Sequence, residues 1–244
     1  MTDDPVDLSG QFLRAIRKQE PTAEVEETLA GYDSEALAAQ LDSDGKRLAF
    51  WINLYNGGTQ QLLERHRDRY ENRRAFFSTP AVTVAGRELS LDDIEHRILR
   101  RSYSKYSFGY IRNPFRGSFA RTHELSERDA RVHFALNCGA TSCPPIAAYT
   151  AADIDQQLDW ATEGYLAQSV EYDTENNTVE VPRLMRWFRG DFGGKRGILD
   201  MLREYDQLPE DVSPRLSYDD WKWSLAPGKF IEKDGVEGPD AFRE

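Results

Sequence analysis

Only two cysteines, Cys138 and Cys143, occur in 244 residues, too few for a disulfide scaffold. The first residues, Met-Thr-Asp-Asp-Pro-Val-Asp, have neither a basic stretch nor an apolar one, so no secretory leader is expected. Together these features predict free thiols in a reducing compartment, the cytoplasm, where a Cys138–Cys143 disulfide is disfavoured though within geometric reach. Lysine is scarce as well, seven of the 31 basic residues, against 42 acidic ones. The net charge of −11 repels phosphate backbones, and no long Lys/Arg run opposes it, so nucleic acid is not an expected partner. An acidic surplus with little Lys points to a salt-adapted source or simply to a GC-rich genome, the first being favoured. The apolar runs are too short to span a membrane. No phosphate-binding loop or dinucleotide fingerprint occurs, so no cofactor is expected. Cys138, Cys143 and a histidine could bind zinc. With four residues between the cysteines and no second Cys pair, however, no metal is predicted.

What the chain does have is enough apolar material for a core: 39% hydrophobic residues, 11% of the total aromatic. Leu8, Phe12, Leu13 and Ile16 recur at helical spacing and predict a helix over 7–19. Asp33 and Ser34 cap a short helix over 35–41, and 47–66 reads as one long helix loosened at Gly57-Gly58. A hairpin is expected over 82–89. Ser90 and Asp93 then form a capping-box pattern opening a helix through Leu99. Residues 102–126 read as a long loop and Val132–Cys138 as a buried strand. A helix over about 151–168, a second hairpin around Asn176-Asn177, a helix after Pro182 and another over 198–205 complete the pattern. The last fifteen residues read as loose. The expected architecture is a single α+β domain over 1–244, mainly helical with a small antiparallel sheet.

Three segments carry a family resemblance: Ala49-Phe50-Trp51-Ile52-Asn53-Leu54-Tyr55-Asn56-Gly57, Leu89-Ser90-Leu91-Asp92-Asp93-Ile94-Glu95-His96-Arg97-Ile98-Leu99, and His133 through Pro145. Together they resemble the domain-of-unknown-function 547 family, DUF547. Trp187-Phe188-Arg189-Gly190-Asp191-Phe192-Gly193 is similar to that family's C-terminal segment. The resemblance runs from about residue 45 to about residue 225. It implies no settled activity. One departure is Arg97, where the family pattern commonly has Gly.

The chemistry resides in Cys143, His133, His96, Glu95 and several amides. A thiol in a polar, Pro-bounded loop leading towards a helix is acidified by free N–H groups and the helix dipole. An imidazole from His133 or His96 would activate it, with Glu95 orienting that imidazole. Asn53 or Asn137 would donate to an oxyanion, and Asn56, Asn137 and Ser142 would contact substrate. This is the logic of papain-like and transglutaminase-like enzymes, although here both histidines precede the cysteine. The expected function is a thiol-dependent hydrolase or acyl transferase acting on an amide, peptide or thioester. The alternative is a non-catalytic binding or scaffold module around a structural Cys/His centre. Cys138 reads as an inert small hydrophobe, and His66 and His123 as surface residues.

Overall fold

Helix α1, Pro5–Lys18, starts where the sequence invites it. Asp4 accepts hydrogen bonds from the Val6 and Asp7 amides, and Pro5 occupies the first helical turn. The computed structural model describes residues 4–232 and 238–242. The buried face of α1 (Val6, Leu8, Phe12, Leu13) packs on the central helix. Two short helices, α2 (Ala23–Gly31) and α3 (Ser34–Gln40), follow, and Asp33 caps the second by accepting from the Glu35 and Ala36 amides.

The central helix, α4, is Asp44–Arg65, and its middle is buried from Leu48 to Leu63 on every face. A helix wrapped by protein all round is a core element rather than a surface one. The Gly57-Gly58 pair does not loosen it. A Cβ on Gly57 would sit 2.6 Å from Phe12 Cε1, so glycine lets α1 approach closely.

Beyond α4 come α5 (Arg73–Ser78) and the antiparallel pair β1 (Pro80–Val84) and β2 (Arg87–Ser90). Ser90 and Asp93 do bond reciprocally: Ser90 Oγ accepts from the Asp93 amide, and Asp93 accepts from the Ser90 amide. The segment they open, Asp93–Leu99, is π-helical, a wound form found often at functional sites. The 102–126 region contains a 3-10 turn (Lys105–Ser107) and α6 (Ser118–His123).

Residues expected as a buried strand, 132–138, form no strand. Ala130–Phe134 is a 3-10 turn, and residues 135–138 that follow it have no regular structure and no sheet partner. One α4 side chain, Asn56, pairs the Ala135 carbonyl and the Asn137 amide, and the amides of Val132, Ala135 and Leu136 bond carbonyls within the turn. Next are α7 (Ile154–Ser169), the hairpin β3 (Glu171–Asp173) and β4 (Thr178–Val181), α8 (Arg183–Trp187) and α9 (Gly194–Glu204). A further strand, β5 (Arg215–Tyr218), was not expected; it pairs parallel to β4, so that sheet is mixed rather than purely antiparallel. The tail is not loose where it is described. Pro239–Phe242 is a 3-10 turn against α7, with Phe242 fully buried. The fold is α+β, mainly helical, with two small sheets.

Candidate functional site

Two asparagines one helical turn apart on α4 hold the loops that build the site. Asn53 donates from Nδ2 to the Tyr149 carbonyl at 2.9 Å and accepts from the Tyr149 amide at 2.9 Å. Asn56 repeats this with the Ala135 carbonyl (2.9 Å) and the Asn137 amide (2.8 Å). Each side-chain amide therefore pairs a backbone segment as a neighbouring strand would. Asn137 extends the series: its Nδ2 donates to the Pro144 carbonyl at 2.7 Å and its Oδ1 accepts from the Gly139 amide at 2.9 Å. The chain of contacts from Asn56 through Asn137 to Pro144 clamps both ends of the loop carrying the two cysteines.

That wiring reassigns the amides. Asn53 spends both of its amide hydrogens, on the Tyr149 carbonyl and the Ser9 hydroxyl, Asn137 directs its amide to the Pro144 carbonyl, and all three asparagines are fully buried. Ser142 faces away from the cavity described below; its hydroxyl accepts from the Lys222 amide and its carbonyl from the Tyr165 hydroxyl.

The cysteines also depart from expectation. Cys138 and Cys143 are disulfide-bonded, with Cα atoms 6.1 Å apart, so free thiols are not what the structure holds. The clamped loop brings the two side chains together whatever the compartment. The helix expected to follow Cys143 closely, α7, begins only at Ile154. A different donor faces the sulfur: the Cys138 amide lies 3.1 Å from Cys143 Sγ.

Both cysteines line a cavity of about 340 Å³ together with Tyr55, Glu95, His96 and His133. Its remaining wall is largely aromatic, with Trp187, Phe188, Trp221 and Trp223 prominent. The π-helical segment lets the adjacent Glu95 and His96 border the same space. Glu95 accepts from the Tyr55 hydroxyl at 3.2 Å. The Tyr55 phenol is held well above its usual range by burial and by the charges of Glu95 and Asp92, so it remains a donor.

Behind the histidines lies a charged cluster that no single stretch of sequence announces. Asp191 receives Arg100 Nε at 2.5 Å, Arg128 Nη1 at 2.7 Å and His133 Nε2 at 3.0 Å. The side chains of Asp191, Arg100 and His133 are 2%, 1% and 3% exposed. Burial works against the Asp191 charge, but His133 and Arg100 outweigh it and hold the carboxyl well below the ordinary carboxylate range. An ionised Asp191 can only accept, so His133 carries its proton on Nε2 and its Nδ1 is the basic nitrogen. Arg100 Nη1 also donates to His96 Nδ1 at 2.8 Å, which puts the His96 proton on Nε2, the atom 3.4 Å from Asp92. Asp92 is held down to about 2: burial raises it, and His96 and Lys105 more than reverse this. His133 stacks on Phe188 at 4.3 Å, and Arg100 lies 4.3 Å over the same ring.

Asp191, Arg100 and Arg128 were not singled out in the sequence. Two signals could have found two of them: a carboxylate inside the aromatic segment Trp187–Phe192, and Arg100 four residues after His96. His123, read as a surface residue, is instead buried beside Trp51 and Phe119 because α6 packs inward.

Among the described residues no group of three or more His, Cys, Asp or Glu is arranged to hold a metal ion. No helix among them is long and apolar enough to cross a membrane. No curated protein and no solved structure matches the chain. A family model described as a protein of unknown function, DUF547, matches residues 38–166, a span that takes in both cysteines, His96, His133, Arg100 and Arg128 and ends before Asp191. The chain belongs to the DUF547 family.

Proposed function

We propose that the cavity is the active site of a thiol-dependent hydrolase or acyl transferase that works in the reduced state, on an amide, peptide or thioester. The observation that carries this reading is the bond from buried Asp191 to His133, whose imidazole lines the cavity that also holds Cys143. A buried carboxylate that fixes an imidazole tautomer and favours the imidazolium is the orienting half of a catalytic triad. In this reading Asp191, rather than Glu95, orients the base.

Once the Cys138–Cys143 bond is reduced, the Cys143 thiol passes its proton to His133 Nδ1, and the sulfur attacks the substrate carbonyl. The nearby Cys138 amide favours the thiolate. Asp191, kept ionised by Arg100 and Arg128, stabilises the imidazolium. His133 then returns the proton to the leaving group, and water or an acceptor takes the acyl group from sulfur. Tyr55 and His96 border the same cavity, with the Tyr55 hydroxyl hydrogen directed to Glu95 and the His96 Nε2 proton towards Asp92.

The test is alkylation of the dithiothreitol-reduced protein by iodoacetamide across pH, alongside turnover of simple thioesters and p-nitrophenyl esters. Cys143 is expected to react at half-maximal rate well below about pH 8.5, the ordinary thiol value. His133→Gln should lower the neutral-pH rate at least about a hundredfold, within the range of general-base contributions, about 10²–10⁴. Turnover should vanish in Cys143→Ala. A reduced Cys143 that follows the ordinary thiol profile, or reacts only on unfolding, overturns the proposal and leaves the cavity as a binding site.

A further inference from the structure

Every exposed large hydrophobic side chain among the described residues falls in one loop: Tyr106, Phe108, Tyr110, Ile111 and Phe115, between 50% and 90% exposed. Singly such residues mean little; five within ten positions form a patch of the kind that marks a binding surface. Tyr106 and Phe108 belong at once to this patch and to the wall of the cavity holding Cys143 and His133. The patch therefore continues the cavity's aromatic lining outward into solvent.

The loop is anchored. It folds back on itself through the Ser104 amide to the Ile111 carbonyl (2.9 Å) and the Asn113 amide to the Ser102 carbonyl (2.8 Å). At its tip the Gly190 amide donates to the Phe108 carbonyl (2.7 Å), and Arg128 donates to the Gly109 carbonyl (2.9 Å). Gly109 has φ +79°, and a Cβ there would collide with Asp191 Oδ1. The carboxylate that orients His133 and the apolar loop are thus locked face to face.

The occupant follows from what the loop leaves unpaired. The amides of Gly109 and Tyr110 are spent on Ser104 and Ser107 carbonyls, and that of Ile111 on the Ser107 hydroxyl. A polypeptide backbone laid along the strip would find these donors already used, whereas a hydrocarbon chain needs none. A net charge of −11 disfavours an anionic membrane surface. The cavity, at the small end of the roughly 300–1,000 Å³ typical of ligand sites, admits only part of a long chain.

We infer that the acyl group taken by this site is a long, unbranched hydrocarbon chain, its carbonyl end in the cavity and its remainder along the Tyr106–Ile111 strip. This rests on the thiol reading of the site. The experiment is titration of butanamide, octanamide and dodecanamide into the wild-type protein and Cys143→Ala, read by the fluorescence of Trp187, Trp221 and Trp223. Affinity is expected to rise up to roughly threefold to fourfold for each added methylene while the chain stays on protein. Ile111→Ser, an exposed change, should flatten the gain from octanamide to dodecanamide and leave butanamide unaffected. Equal affinity at all lengths overturns the inference, as does Ile111→Ser weakening butanamide as much as dodecanamide. If the strip instead drives dimerisation or pelleting with phosphatidylcholine vesicles, with no length dependence for the amides, the inference also fails. Binding does not use the sulfur, so the outcomes separate. A length gradient without turnover sinks the thiol chemistry alone; turnover without a gradient sinks the acyl-chain assignment alone.

Discussion

The asparagine series on α4 and the charged cluster around Asp191 are both buried, yet they are made from opposite materials. Asn53, Asn56 and Asn137 are neutral and pair almost entirely with backbone, each closing a donor and an acceptor at once. Such a network carries little desolvation penalty and serves to fix loops. Asp191, Arg100, Arg128 and His133 bring ionised groups into the interior, where each charge costs several kcal/mol before pairing offsets it. Well-packed hydrocarbon of similar volume would hold the fold at least as firmly. Charge is retained on the side of the core that borders the cavity, while the neutral amides sit behind the loop. The contrast separates what holds the Cys138–Cys143 loop from what orients His133.

The sharpest way to break that distinction is to remove the carboxylate. Asp191→Ala leaves Arg100 buried without its partner, and losing one member of a buried pair costs about 3–5 kcal/mol. Urea unfolding near neutral pH should register a loss of that size. Asp191 is depressed in the folded state, so its contribution is present above the unfolded carboxyl value of about 3.9 and is lost as pH falls through that value toward the folded one. The Asp191→Ala variant should therefore show a flatter acid limb than wild type. If the two limbs run parallel, the carboxylate is not the charged anchor described here.

A smaller loss is expected from the neutral side. Asn56→Ala orphans the Ala135 carbonyl and the Asn137 amide, each worth about 1–3 kcal/mol when buried and unpaired. A drop of roughly 2–4 kcal/mol should appear, but uniformly across pH, since no titrating group is removed. An Asn56→Ala profile that changes slope with pH would blur the comparison.

How far these two centres are legible in the sequence differs for the same reason. The asparagines stand out because Asn at positions 53 and 56 is out of place in a helix on propensity. Helix α1, the Ser90–Asp93 cap and the hairpins follow from local spacing and local hydrogen bonds. The charged cluster depends on contacts between residues 91 and 63 positions apart, and no local pattern encodes such a pairing. The 132–138 run looked like a strand because it is apolar and buried. What periodicity could not reveal is that its backbone is paired within a 3-10 turn and by one side-chain amide of α4, Asn56. The β4–β5 pairing and the buried Phe242 were hidden likewise, both being long-range consequences of packing.

His123 belongs to neither centre: it is a titratable side chain kept neutral in an aromatic pocket. Its ring lies 4.3 Å from Phe119 and 5.8 Å from Trp51, and only Nε2 is bonded, to Ser34 Oγ at 3.0 Å. Burial first, and then the charge of Arg47, push it down to about 4 from 6.5. The unfolded chain takes up this proton near 6.5 while the folded protein refuses it until about 4. Across that window the unfolded state binds more protons, so stability is full above it and declines as pH falls. His123→Gln cannot titrate, so between those limits wild type should lose about 3 kcal/mol more than the variant. Urea midpoints for both proteins at several pH values between 7 and 4 test it. Coincident slopes would mean that the pocket admits the imidazolium, and that burial among aromatic rings alone does not keep a histidine neutral here.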